Sequence, residues 1–319
     1  MISKYGDKYR SCCAECGEEG GVSLKTCMAC MLVRYCSATC QRKHWPTHKK
    51  PCKQRAAELR DEALFNDPPP NDDCPICFLP MPRRLICCIS LPPATILSVP
   101  IYDYAEANED LAGEDMEKYY PCCGKSICAG CEFSFNKADN DKCPFCNSDR
   151  ADKTDEEMVA EMMKRVEAND AGAIFQLGNN YHHGHQLGLQ QDHTKAMDLY
   201  ARAAELGLGK AHCNLGLLYH GWGNMKKAKF HLEAGAMSGQ EVARSKLGLM
   251  EAKSGNMKRA VKHWKIAASA GNFTPMHNLL LAFKGGSVSR DEIDSTLTAY
   301  NNACAEMRSD ARDALMDNN

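Results

Sequence analysis

Thiols and imidazoles recur in couples along the first half of this chain. Between Cys12 and Cys52 the couples are Cys13/Cys16, Cys27/Cys30, Cys36/Cys40 and His48/Cys52. Thiolate and neutral imidazole are ligands that zinc takes four at a time in closed tetrahedral sites, so four couples suit two ions. Cys12 adjoins Cys13 and could substitute for it, although the CxxC spacing favours Cys13. The segment is too short, and too poor in apolar residues, to bury a self-sufficient core. Structural zinc, worth roughly 10–16 kcal/mol in finger-sized peptides, supplies the deficit. A second series follows with CPIC (Cys74, Cys77), PCCGKSICAGC (Cys122, Cys123, Cys128, Cys131) and CPFC (Cys143, Cys146).

Those ligands need elements to hold them. Ser37 to Cys40 and Gln41 to Lys53 read as short helices that set Cys36/Cys40 and His48/Cys52 one turn apart, with Pro46 dividing the stretch. Glu58 to Leu64 reads as helical, and the three prolines of NDPPPNDD then favour an extended spacer. Trp45 is expected to pack over the small core, and the basic run Arg42, Lys43, Lys49, Lys50, Lys53 and Arg55 to be a solvated helix face.

Of the 20 cysteines, only Cys213 and Cys304 lie beyond residue 150. The chain thus divides into a metal-held first half and a conventionally packed second half. Its 319 residues suit two or three domains, and a net charge of −2 gives no field to attract nucleic acid or an anionic membrane. MISKYGDKYR lacks the apolar core of a signal peptide and no apolar run is long enough to span a bilayer. A cytoplasmic or nuclear protein is expected, with cysteines serving metals rather than disulfides.

From residue 152 the sequence repeats itself. AIFQLGNNYHHG, AHCNLGLLYHGW, ARSKLGLMEAKSG and PMHNLLLAFKGG align, and Leu177, Leu215, Leu247 and Leu279 fall 38, 32 and 32 residues apart. Second helices align at Ala196, Ala228 and Ala260. A period in the thirties with two helices per unit predicts a solenoid. Gly178, Gly216 and Gly248 read as close-approach positions, and Gly207, Gly239 and Gly271 as helix ends. The fourth unit departs from the pattern and reads as a cap, continued by one helix from the box Ser289-Arg-Asp-Glu292 to about Leu315. His182, His183 and His185 read as solvated residues and Cys213 as core. Tyr181, Tyr219, His220, Trp222, Lys229 and Trp264 are either a concave binding surface or packing.

Three resemblances follow. The YCS..CQ..HW..H...C stretch of residues 12–57 resembles the MYND zinc finger. That resemblance implies interleaved sites, Cys13, Cys16, Cys36 and Cys40 at one zinc and Cys27, Cys30, His48 and Cys52 at the other. It also implies docking of short proline-leucine-proline peptides. After a linker over 58–73, residues 74–150 resemble a RING finger with a long first loop. There Cys74, Cys77, Cys128 and Cys131 would form one site, and Cys143 and Cys146 the second. Lys125 stands where the family has a histidine ligand and has no lone pair to give, so Cys122 and Cys123 are the natural replacement; Cys87 or Cys88 is the alternative. Residues 152–319 resemble Sel-one-like repeats, relatives of the tetratricopeptide class.

The expected fold is mostly α, two small zinc-stabilised fingers followed by a helical-repeat solenoid. No catalytic residue and no organic cofactor are expected. The reading is a zinc-binding adaptor whose finger docks a short peptide and whose solenoid docks a second protein. The alternative is a RING-type ubiquitin ligase recruiting a ubiquitin-conjugating enzyme, with Ile76 and Pro144 at the family's gripping positions but Asn147 where a basic residue usually stands. A DNA-binding role fits the charge balance poorly, and a methyltransferase leaves no room for its cofactor-binding module.

Overall fold

The computed structural model describes residues 12–18, 23–70, 72–81, 117–138, 141–150, 153–184 and 187–316. Cys87, Cys88 and His185 lie outside them. The chain forms two compact units, Met1–Asn66 and Asp67–Asn319.

In the first unit, β1 (Lys25–Thr26) pairs antiparallel with β2 (Arg34–Tyr35), and α1 (Ala38–Phe65) follows. Ser37 caps the helix, its hydroxyl accepting from the Cys40 N–H at 3.2 Å. The buried core holds Val33, Tyr35 and four cysteines, which by itself is too little apolar surface to fold sixty residues. The break expected at Pro46 does not occur: Pro46 and Pro51 both lie inside one continuous helix. Cys40, His44, His48 and Cys52 fall on one face at single-turn spacing, which anchors the helix on both sides of Pro46. Pro46 itself is exposed, so water can reach the carbonyl that its missing N–H leaves unpaired. The helix also carries on to Phe65 through the first half of the segment read as linker.

In the second unit, β3 (Glu117–Tyr120) and β4 (Lys125–Cys128) form a hairpin in the register Glu117↔Cys128 to Tyr120↔Lys125, and α2 (Ala129–Lys137) follows directly. Then come α3 (Asp155–Glu167) and the helix pairs α4 (Ala171–His183) with α5 (His193–Glu205), α6 (Gly209–Gly221) with α7 (Met225–Met237), and α8 (Glu241–Lys253) with α9 (Met257–Ser269). α10 (Phe273–Lys284), α11 (Arg290–Glu306) and α12 (Asp310–Met316) close the chain. The single capping helix expected to Leu315 is split by a turn at 307–309. The capping box expected at Ser289 is formed, and a second forms at Thr154.

The repeat register shows in the packing. Leu215, Leu247, Leu279, Ala196, Ala228 and Ala260 are all buried. Gly178, Gly216 and Gly248 sit where a Cβ would strike Tyr200, Leu232 and Trp264, which lie 32 residues apart on the facing helices. Trp264 is therefore core, not concave surface, whereas Trp222 is exposed; Cys213 is core as expected.

Candidate metal centres

Four groups of four ligand atoms form, each with its members within 4.8 Å of one another: Cys13, Cys16, Cys36 and Cys40; Cys27, Cys30, His48 and Cys52; Cys74, Cys77, Cys128 and Cys131; Cys122, Cys123, Cys143 and Cys146. These are the groupings that the sequence suggested. Local backbone geometry explains why four of the couples converge. In each of four CxxC turns the residue after the second cysteine takes a left-handed conformation, Gly17 at φ 74°, Met31 at 56°, Phe78 at 56° and Asn147 at 57°. Its N–H returns to the carbonyl of the first cysteine at 2.9, 2.9, 2.8 and 3.0 Å respectively. The turn curls the backbone N–H groups inward around the sulfurs.

The separations discriminate between possible uses of the thiols. A tetrahedral ion with bonds to sulfur of about 2.3 Å sets its sulfurs about 3.8 Å apart, whereas a disulfide sets them at about 2.0 Å. Cys27 to Cys52 is 3.8 Å, Cys74 to Cys131 3.9 Å, Cys77 to Cys128 3.8 Å and Cys123 to Cys143 3.7 Å. Cys16 to Cys36 is 3.6 Å, Cys36 to Cys40 3.5 Å, and Cys30 Sγ to His48 Nε2 3.4 Å. All of these are tetrahedral edges, and every cysteine among the described residues is free of disulfide. The donor set and its geometry fit zinc.

Electrostatics agrees. Burial pushes the Cys13 thiol up, but backbone N–H groups of Cys16, Cys36 and Glu15 outweigh it and bring it down to about 6. The Ser148 hydroxyl and N–H bring Cys146 down to about 6, while burial and the neighbouring thiols push Cys122 up to about 12. In the other finger burial, then Cys27, pushes Cys52 up to about 12. Four thiolates crowded together cannot all ionise unless a cation sits among them. Burial and the nearby His44 lower His48, leaving the neutral ring that a metal ligand requires. His44 stacks on it with centroids 5.5 Å apart, and Tyr35 Oη lies 3.0 Å from His44 Nδ1. Trp45 does not cover the core: it is 40% exposed and meets His48 edge-on.

Adjacent Cys122 and Cys123 reach one centre because they occupy the tip of the β3–β4 hairpin. The N–H groups of Cys123 and Gly124 both return to the Tyr120 carbonyl, at 3.2 and 2.8 Å. Gly124 has φ 73°, and a side chain there would meet the Arg165–Asp170 pair. Lys125 lays its ammonium over the Phe145 ring, 5.0 Å from the centroid. Arg150 is spent on Tyr120, stacking 4.8 Å from its ring and donating to its hydroxyl at 3.3 Å.

Several supporting residues escaped the sequence reading. Arg165 on α3 donates to the carbonyls of Pro121 and Cys122 at 3.1 and 3.2 Å, and the Tyr119 hydroxyl donates to Asp170 at 3.0 Å. Lys210 pairs with Glu117. Arg312 on α12 reaches Cys77 and Pro80. The β3–β4 hairpin and its cysteine turns are thereby packed into the repeats rather than strung beside them. Among the described residues no helix is long and apolar enough to cross a membrane.

Residues 13–52 match the family model of the MYND finger, and residues 171–208, 209–240 and 245–272 match that of the Sel1 repeat. The chain is 40% identical over 52 residues to the SET domain and MYND-type zinc finger protein 6 of Schizosaccharomyces pombe, covering 16% of this chain and 11% of that protein. It is 50% identical over 34 residues to a histone-lysine N-methyltransferase of Homo sapiens, covering 11% of this chain and 8% of the relative. A SET and MYND domain-containing protein of Dictyostelium discoideum is 45% identical over 51 residues, covering 14% and 9%. The chain thus spans about a tenth of the length of the curated relatives it matches. A Sel1 repeat protein from Oxalobacter formigenes superposes with a TM-score of 0.35 at 25% identity, over 38% of this chain and 96% of that one.

Proposed function

We propose that the chain is a zinc-braced adaptor that joins two protein partners, one on the MYND finger and one on the repeats. The observation that carries this reading is the pairing of a finger too small to fold without metal with an array of interaction-type repeats. Cys13, Cys16, Cys36 and Cys40 hold one zinc, and Cys27, Cys30, His48 and Cys52 a second. Cys74, Cys77, Cys128 and Cys131 hold a third, and Cys122, Cys123, Cys143 and Cys146 a fourth. Metal analysis of the purified chain should return four zinc ions, and Cys122→Ser/Cys123→Ser should return three; two in the parent chain would refute the RING-like half of the reading.

The finger's ligand is a short proline-containing peptide, as the MYND resemblance implies. Met31, 54% exposed on a turn between ligands, offers such a peptide apolar contact. Calorimetric titration of the full chain with a Pro-Leu-Pro peptide tests this. Binding should vanish in Cys27→Ser/Cys30→Ser and survive changes in the repeats, and a chain deaf to all proline-containing peptides would remove the docking role.

A second reading, recruitment of a ubiquitin-conjugating enzyme, draws on Ile76 and Phe78. Both stand on the first metal turn of the RING-like finger, 43% and 77% exposed. Against it, Arg150 is engaged with Tyr120 and cannot act as the basic residue that active RING fingers use. Autoubiquitination with a panel of conjugating enzymes decides: activity that disappears in Ile76→Ala makes the chain a ligase, and silence throughout leaves the adaptor.

A further inference from the structure

α12 has 7 residues, well below the about 12–15 that an isolated helix needs to persist in water. Yet its Arg312 is only 5% exposed. One guanidinium nitrogen donates to the Met307 carbonyl at 2.6 Å; the other donates to the Pro80 carbonyl at 3.0 Å and lies 3.6 Å from Cys77 Sγ. The backbone at Arg312 rests on Gly130 in the first turn of α2, where a Cβ would come within 2.8 Å of its N and Cα. Among the described residues no carboxylate forms an ion pair with this arginine.

A buried guanidinium is costly without an anion. The anion available is the centre itself, since four thiolates around a divalent zinc carry a net charge of −2. We infer that Arg312 is a positioning residue of the Cys74/Cys77/Cys128/Cys131 centre, and that zinc at this centre and docking of α12 are thermodynamically coupled. The inference rests on reading those cysteines as a zinc site. Its N–H···S contact orients Cys77 and offsets the excess charge, while the metal fixes the sulfur that the guanidinium answers. Linkage makes the effect reciprocal: the factor by which docked Arg312 tightens zinc is the factor by which zinc tightens the helix. Supporting contacts around metal ligands are typically worth about 10–100-fold in affinity.

The test uses the full zinc-loaded chain and a chromogenic chelator. Arg312→Met keeps the stem and removes the charge; it should weaken one ion about tenfold or more and leave the others unchanged. Arg312→Lys should restore part of that affinity, and with cobalt in place of zinc the thiolate charge-transfer absorption should shift in Arg312→Met and not in Arg312→Lys. Gly130→Ala, which pushes α12 away without touching charge or ligand, should mimic Arg312→Met. Conversely, hydrogen exchange over residues 308–316 should rise in Cys128→Ser/Cys131→Ser while exchange in α6 to α9 stays as in the parent. Equal zinc content in Cys128→Ser/Cys131→Ser and the parent would overturn the zinc reading and the inference together. An ion lost there, with zinc retention unchanged in Arg312→Met and in Gly130→Ala, would overturn the inference alone.

Discussion

At Phe78 two unfavourable choices coincide: a left-handed backbone, which costs an L-residue about 1–2 kcal/mol, and an aromatic ring left in water. In the first finger Met31 joins the same backbone to an exposed thioether side chain. The metal turns tolerate this because the ligands on either side fix the curl whatever residue follows. Replacing Phe78 by glycine should therefore leave stability unchanged or raise it by up to about 1 kcal/mol, glycine's unfolded-state entropy offsetting part of the relief. Phe78→Val should cost about 1–2 kcal/mol, since a branched Cβ fits that region worse. Denaturant titration with zinc present reads both. A loss beyond 1 kcal/mol in Phe78→Gly would mean that the ring makes a contact within the fold and is not held for a partner. The convergence of these side chains was legible because partners lie close in sequence, two or three residues between the members of every couple but the adjacent Cys122 and Cys123. Arg165 and Arg312 were not legible: their contacts with the cysteine-bearing segments span 43 to 235 positions, and a lone arginine in a helix carries no mark of what it will meet.

Among the helices, the period was readable because each unit buries the same alanine and leucine positions. The facing row Tyr200, Leu232 and Trp264 keeps the same 32-residue interval, but its side chains differ, so the repeat hid behind changing identity. α1 went the other way. Pro46 has an ordinary meaning as a breaker, and what overrides it is an anchorage at Cys40, His48 and Cys52 that depends on strands and turns elsewhere. On α9, His263 gives a pH test. Burial first, then Arg244 and Arg259, push its pKa from 6.5 down to about 3. The folded value lies below the unfolded one, so below pH 6.5 the unfolded chain binds the proton more readily. Stability is complete above that pH and falls as pH drops towards 3, by at most about 1.4 kcal/mol per unit. Subtracting the unfolding free energies of His263→Leu from those of the parent between pH 7 and 4.5 isolates this slope from ligand protonation. A flat difference would show that the ring is hydrated.

At the scale of the unit from Asp67 onward, the array reaches the β3–β4 hairpin and its cysteine turns, among the described residues, through Arg165 on α3, Asp170 before α4, Lys210 on α6 and Arg312 on α12. Stability in an open array is a sum of units and neighbouring interfaces, so dropping one unit costs that unit and little else. Deleting residues 209–240 here keeps the internal register, because α5 then meets α8 as it formerly met α6. It also removes Lys210 and alters the reach from α5 to α12. The shortened chain should still melt cooperatively by circular dichroism, yet residues 308–316 should lose protection from proteolysis; a tail as protected as in the parent would refute this. Repeat copy number is thus no longer a free variable for this chain. Duplication or loss of a unit, near neutral in an array with an open end, here becomes a mutation of the finger as well, and an insertion inherited without a matching change at Gly130 and Arg312 would detach the tail it was never near.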